Sequence, residues 1–176
     1  MRLRTLLAAL VAISALLTAC AADPPPLWGG GWSGHDCGPS VLGKPVTDGT
    51  FVLVNTSTSP VTVTSVKLPS PHGVTMTAAW LMPGYKPPHG ALSYVGDGFP
   101  YPPTAWHEWP NRQAIPGAVI KPHGQLNLFF GITRIEARRV EAGAPVITYT
   151  AGRNTYTLQT HWAFVLLAPH TRCPRT

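Results

Sequence analysis

The sequence predicts an all-β fold, an antiparallel β-sandwich of about seven strands. Only 11% of the 176 residues are charged, whereas 17 are glycine and 20 are proline, a composition typical of turn-rich β proteins. Short apolar alternations also recur after residue 50 and are separated by turn residues. A period of two indicates half-buried strands. Such a chain is suited to one domain with its own core.

The first three predicted strands differ in pattern. Residues 50–56, TFVLVNT, are continuously apolar, which indicates a strand buried on both faces. Residues 61–68, VTVTSVKL, change the parity of their apolar positions, so we expect a β-bulge near Ser65. Residues 74–82, VTMTAAWLM, predict a strand with one apolar face, made of Val74, Met76, Ala78, Trp80 and Met82.

The later segments continue the β pattern. Residues 114–122 predict a weak strand broken by Pro116. Residues 125–132, QLNLFFGI, predict a strand with inward-facing Leu126, Leu128, Phe130 and Ile132. Residues 145–169 predict a hairpin that turns at Gly152-Arg153-Asn154. Its second strand is expected to be continuous, because the apolar residues stay on the same face from Tyr156 to Leu166. Residues 133–142, TRIEARRVEA, have helix-forming character for one or two turns.

The order of these segments resembles bacterial immunoglobulin-like domains of exported proteins. FVLVNTSTSPVTVTSVKL, residues 51–68, gives a strand, an Asn-Thr turn and a second strand. VIKPHGQLNLFFGI, residues 119–132, gives a Pro-Gly-type turn before a late core strand. The resemblance implies an immunoglobulin-like sandwich, and a fold alone does not imply a function.

The N-terminal segment predicts export. Arg2 and Arg4 precede an apolar run from Leu6 to Ala19, which is too short as a helix to cross a bilayer core. Residues 1–19 are therefore expected to be a cleaved signal peptide. Leu17-Thr18-Ala19-Cys20 resembles the lipobox of bacterial lipoproteins, which implies cleavage before Cys20 and a lipid on its sulfur. The alternative is a secreted protein in which Cys20 occurs by chance.

The three cysteines fit this interpretation. If Cys20 carries lipid, Cys37 and Cys173 remain as an even pair in an oxidising compartment, and we expect them to form a disulfide. Residues 20–34 are rich in proline and glycine and predict a tether. Trp28 and Trp32 in that tether are expected either to rest at the membrane interface or to fold back on the domain. The sandwich is expected to occupy residues 35–176.

Residues 83–113 are expected to be a long loop without strand pattern. Loops of that length without secondary structure are usually functional or disordered, and this one is rich in aromatic residues. Aromatic side chains are favoured anchors for a ligand, but they equally cap the open end of a sandwich. The candidate surface consists of Tyr94, Tyr101, Trp106, His107 and Trp109.

Histidines raise a second possibility, a metal site. Three Pro-His-Gly tripeptides are centred on His72, His89 and His123. Proline and glycine around a polar residue indicate turns, yet histidine is also the commonest metal ligand. The alternative prediction is a copper- or zinc-handling protein whose ligands are drawn from His72, His89, His107 and His123.

Other classes of function are disfavoured. The sequence has no nucleophile elbow, no evident pair of catalytic carboxylates and no phosphate-binding loop, so we expect a non-enzymatic protein without a cofactor. The net charge of +6 is thinly spread, which disfavours nucleic acid as a partner. The sequence thus predicts a lipoprotein anchored on the extracytoplasmic face of the cell membrane. Its expected partner is an unidentified protein or a cell-wall polymer.

Overall fold

A computed structural model describes residues 24–29, 34–69, 71–83, 95–99 and 109–173. Within them the chain forms β-strands and one 3₁₀ turn, Trp109–Asn111, but no α-helix. No helix in this part of the chain is long and apolar enough to span a bilayer. The strands are β1 (Leu27–Gly29), β2 (Gly34–Pro39), β3 (Pro45–Asn55), β4 (Val61–Lys67), β5 (Val74–Pro83), β6 (Val95–Asp97), β7 (Gln113–Ala114), β8 (Ala118–Ile120), β9 (Gln125–Arg134), β10 (Val140–Ala142), β11 (Val146–Ala151), β12 (Asn154–Gln159) and β13 (Trp162–Leu167).

Three sheets enclose one core. Sheet A has the order β1-β3-β9-β5-β7, with β6 also paired to β3; sheet B is β10-β13-β2; sheet C is β12-β11-β4-β8. Buried side chains from all three sheets meet in one cluster, for example Phe130, Tyr149 and Phe164. The predicted all-β sandwich is therefore confirmed, although the described residues form thirteen strands rather than about seven. One pairing departs from the antiparallel prediction, since β2 runs parallel to β13.

The bulge expected near Ser65 is present in β4. Ser65 pairs with Thr148 and Val63 pairs with Tyr149, which leaves Thr64 as the extra residue. Val63 before the bulge is fully buried, and Val66 after it packs partly buried against the same core. The bulge thus lets both parities of the strand contribute to one core.

The single apolar face expected for β5 is wrong. The register with β9 shifts between Met76 and Ala79, so one extra residue changes the parity of the strand. Val74 is buried before the bulge, whereas Ala79 and Leu81 are buried after it. After the bulge, the odd-numbered and the even-numbered positions of β5 are both apolar. The sequence pattern therefore does not show which set faces the core. Trp80 consequently points away from the core.

The strands β3 and β9 form the centre of sheet A. β9 agrees with its prediction, since Leu128, Phe130 and Ile132 are all at most 1% exposed and Leu126 packs against them. β3 starts earlier than expected, at Pro45. Its burial alternates between buried Phe51 and half-buried Val52, so burial on both faces is not complete there.

Two predicted strands are divided between sheets. The break expected at Pro116 is confirmed, because β7 ends at Ala114 in sheet A and β8 begins at Ala118 in sheet C. The hairpin turn after Ala151 is also confirmed, with Ala151 paired to Asn154. The single second strand of that hairpin is wrong, because β12 belongs to sheet C and β13 to sheet B. Between them, Thr160 donates to the Pro145 carbonyl through both N and Oγ1.

The helical turns expected at residues 133–142 do not form. Arg134 ends β9 with its side chain buried, and Nη1 donates to the carbonyls of residues 136, 137 and 138 at 3.1, 2.6 and 3.3 Å. In a helix those carbonyls would accept from amides four residues later. Here these carbonyls accept hydrogen bonds from the buried guanidinium instead. The strand β10 follows.

Part of the predicted tether belongs to the sandwich. Leu27 is 3% exposed and pairs with Asn55, so β1 is an edge strand of sheet A. The prediction is wrong here because three residues are too few to show a strand period. Trp28 is 49% exposed on that edge. The signal peptide, Cys20 and Trp32 lie outside the described residues.

The predicted disulfide is present. Cys37 of β2 is bonded to Cys173, with 5.9 Å between their Cα atoms and a sequence separation of 136. Because β2 pairs with β13, the bridge joins the start of the domain to the segment that follows its last strand.

Candidate functional site

An aromatic–arginine cluster lies on the outer face of sheet A, made of Trp80, Phe99, Trp109 and Arg112. The rings of Trp80 and Phe99 stack with centroids 4.7 Å apart. Trp109 meets Trp80 edge-on at 5.1 Å. The guanidinium carbon of Arg112 lies 4.6 Å from the Trp109 centroid and 5.9 Å from that of Trp80, within the range of cation–π attraction.

The strand bulge and the loop both build this cluster. The bulge in β5 turns Trp80 outward, and Phe99 follows β6. Trp109 opens the 3₁₀ turn, which Arg112 closes by donating from N and Nη1 to the Trp109 carbonyl at 3.3 and 3.0 Å. The two described segments of the 83–113 loop that carry Phe99 and Trp109 are therefore fixed on the same face of the sandwich.

A glycine on β9 makes room for the cluster. A Cβ added at Gly131 would lie 2.6 Å from the Phe99 ring, closer than real Cβ atoms approach a neighbour. Gly131 is buried in the middle of β9, where glycine normally weakens a strand. Its presence in QLNLFFGI is explained by the close approach of Phe99.

The loop is more structured than predicted. Residues 95–97 form β6, which pairs with residues 46–48 of β3, and Trp109 lies in the 3₁₀ turn. A three-residue strand and a single turn carry no period that a sequence pattern could show. The expectation of a loop without strands is therefore wrong for residues 95–97.

Of the predicted aromatic surface, only Trp109 lies within the described residues. It is half-buried and combines the two alternatives, since its ring packs on Trp80 while part of it stays accessible. Tyr94, Tyr101, Trp106 and His107 lie outside the described residues. Sequence reasoning missed Trp80, Phe99 and Arg112. The spacing of Trp109 and Arg112, three residues apart, is the one signal that could have linked two of them.

The chemistry of the cluster suits the binding of a ligand. Indole rings offer large apolar faces that are partly polar at the edge. A guanidinium forms paired hydrogen bonds to carboxylate or phosphate groups, and Arg112 is exposed. Such a surface can hold the ring of a sugar beside an anionic substituent.

The turn histidines do not form a common site. His72 precedes Val74, which pairs with Arg134 at the end of β9, whereas His123 precedes Gln125 at its start. A strand of that length spans about 30 Å at about 3.3 Å per residue, so His72 and His123 cannot bind one ion. Among the described residues, no three His, Cys, Asp or Glu side chains are placed to hold a metal. His89 and His107 lie outside them.

A cleft of about 300 Å³ opens between the bulges of β4 and β5. Its walls carry no charged or titratable side chain, so it offers no acid–base group to a bound molecule. Hydroxyl and apolar groups line it: Thr64, Ser65, Val66, Met76, Thr77, Ala78, Ala79, Ile115 and Pro116.

Comparison with known proteins adds only distant structural similarity. No protein-family model matches the chain, and no curated protein sequence matches it. The ASH or PapD-like domain 7 of human CEP192 is 9% identical, with a TM-score of 0.43 over 86% of this chain and 93% of that one. A family 123 glycoside hydrolase from Clostridium perfringens is 13% identical, with a TM-score of 0.36 over 76% of this chain and 23% of that one. Similarity at this level says nothing about activity or partners.

Proposed function

We propose that this protein is a lipid-anchored, exported binding module without enzymatic activity, located on the extracytoplasmic face of the cell membrane. The lipobox-like residues 17–20 and the apolar run before them support the anchor. The Cys37–Cys173 disulfide supports an oxidising compartment, where such bonds persist.

The aromatic–arginine cluster is the observation that carries the binding role. It holds two segments of the 83–113 loop on the outer face of sheet A, one through Phe99 and the other through Trp109. Binding residues are often found on loops that a rigid scaffold positions. The cluster thereby gives this aromatic-rich loop a fixed base.

We favour a cell-wall polymer over a protein as the partner. The Arg112 guanidinium lies over one face of the Trp109 indole, so the cluster presents a cationic group together with aromatic surface, a combination suited to sugar rings that bear carboxylate or phosphate groups. The separation of His72 from His123 weighs against the copper or zinc alternative.

Sedimentation with purified cell-wall polymer tests the binding role. We expect the wild-type protein and Arg138→Gln, a matched change of an exposed arginine, to pellet with the polymer. Trp109→Ala is expected to stay in solution, and Arg112→Gln to pellet less. Near-ultraviolet circular dichroism checks that each variant is folded. If the wild type does not pellet, or Trp109→Ala pellets equally, this role is wrong.

Replacing Cys20 with Ala tests the anchor separately. The variant is expected to leave the membrane fraction, and the wild-type protein to carry a diacylglyceryl mass on its N-terminal peptide. Retention of Cys20→Ala in the membrane would contradict the anchor without bearing on the polymer.

A further inference from the structure

We propose that one end of the sandwich lies against the anionic surface of the bilayer. This basal end is formed by the turns at residues 56–60, 121–124 and 152–153 together with Pro24–Pro26, where the described chain begins. The inference rests on the lipid anchor of the proposed function and names the surface that faces the membrane.

The short N-terminal link keeps the basal end near the bilayer, where its charges can act. Thr56 donates to the Pro26 carbonyl from both N and Oγ1 at 2.8 and 2.9 Å, and Leu27 is buried in sheet A. Only residues 21–23 separate Cys20 from Pro24. Whatever their conformation, four residue steps reach at most about 14 Å. A lipid on Cys20 would therefore hold the basal end at the bilayer.

One buried side chain joins two of the basal turns into a unit. Asn55 is 0% exposed, and Nδ2 donates to the carbonyls of Ser59, Ile120 and Lys121 at 2.8, 3.1 and 3.1 Å. Its Oδ1 accepts from the amide and hydroxyl of Ser57. The third turn follows Ala151, which pairs with Val61 at the same end of sheet C.

The chemistry of the basal end suits anionic headgroups. Lys121, His123 and Arg153 are exposed there, and the three turns contain no acidic residue. Asp23 is the one carboxylate between Cys20 and β1. Basic residues beside an anchor are attracted by anionic lipid. Trp28, 49% exposed on the adjoining edge strand, is of a type enriched at bilayer interfaces.

Lysine footprinting of the lipidated, full-length mature protein tests this orientation. The protein is reconstituted into phosphatidylglycerol-containing vesicles and treated with a membrane-impermeant amine reagent. Lys121 reports on the basal end, and Lys44 reports on the other end of β3, about 35 Å away at about 3.3 Å per residue. We expect the labelling of Lys121 relative to Lys44 to fall several-fold on transfer from detergent to these vesicles.

Variants and lipid composition identify the cause of protection. Arg153→Gln, or vesicles of phosphatidylcholine alone, should restore much of the labelling of Lys121, whereas Arg138→Gln should not. Equal labelling of Lys121 in detergent and anionic vesicles would overturn the inference, as would protection of Lys44 instead. Mass analysis of the N-terminal peptide detects the lipid on Cys20 independently of the lysine labelling. Lipidated Cys20 with unprotected Lys121 refutes only the orientation, whereas absent lipid refutes the anchor and the orientation with it.

Discussion

Arg134 holds Ser40 through two hydrogen bonds from a buried guanidinium. Nε donates to the Ser40 hydroxyl at 3.0 Å, and Nη2 donates to the Ser40 carbonyl at 2.9 Å. The two residues are 2% and 1% exposed, and the Ser40 hydroxyl donates onward to the Leu167 carbonyl at 3.2 Å. Arg134 thereby joins the end of β9 to the segment after β2 and to the last strand.

Arg134→Lys is expected to lower the free energy of unfolding by about 3 kcal/mol, because an ammonium cannot reproduce the fork of a guanidinium and hydrogen bonds to charged groups are strong. Urea denaturation measures the change. Arg138→Lys, at an exposed position with a surface ion pair to Glu136, is the matched control and should change stability by less than about 0.5 kcal/mol. Equal effects of the two changes would contradict the role of Arg134.

Asn55→Ala is expected to cost about 2–3 kcal/mol, because it leaves three buried or part-buried carbonyls without the Nδ2 donor. Thermal unfolding and denaturant titration both measure this loss. Asn154→Ala, in the exposed hairpin turn, serves as the control and should be nearly neutral. A wild-type melting curve for Asn55→Ala would show that the turns do not depend on this side chain.

Tyr149→Phe is expected to stabilise the fold by about 1 kcal/mol, because the buried hydroxyl, although close enough to the Leu27 backbone amide to feel it, makes no hydrogen bond of good geometry within the described residues. Tyr156→Phe is the control, since Tyr156 stacks on Tyr149 at 5.4 Å but is less buried. Denaturant titration at neutral pH compares the two variants. A loss of stability in Tyr149→Phe would show that the hydroxyl is satisfied.

Tyr149 also predicts a pH dependence. Burial raises its pKa above the ordinary 10.0, opposed in part by the Leu27 backbone amide. Above pH 10.0 the unfolded chain loses this proton while the folded protein keeps it, so the free energy of unfolding falls as pH rises toward the folded pKa. The gap between wild type and Tyr149→Phe should therefore widen above pH 10.0. A constant gap across that range would contradict the raised pKa.

Loss of the Cys37–Cys173 bridge is expected to lower stability by about 5 kcal/mol in the chain-entropy model, because it closes a loop of more than a hundred residues. Denaturation of the Cys37→Ser/Cys173→Ser double variant, compared with the oxidised wild type, measures the effect. Thiol titration of the unreduced wild type supplies the check, since free thiols at Cys37 and Cys173 would contradict the bridge.

Features that depend on neighbours in the sequence were predictable. The bulge of β4 shows as a parity change between Val63 and Val66, and the break at Pro116 follows from a residue that cannot donate to a ladder. The inward residues of β9 follow from their alternation. Export and lipidation rest on local motifs that lie outside the described residues and remain predictions.

Features that depend on distant contacts were not predictable. Trp80 lies outside the core because an extra residue shifts β5 against β9, and both parities of β5 are apolar there. Residues 133–142 form no helix: their ends belong to β9 and β10, and the carbonyls of residues 136–138 accept hydrogen bonds from the buried Arg134 side chain. β1 is too short to show a period, yet Leu27 is buried by pairing with Asn55.

The sequence by itself determined the fold class and the pairing of Cys37 with Cys173, because composition, alternation and cysteine count are local or additive properties. Only the tertiary structure decided where strands change sheets, which aromatic residues meet Arg112, and that His72 and His123 lie at opposite ends of the sandwich. These depend on register between strands far apart in sequence, and a shift of one residue moves a side chain to the other face.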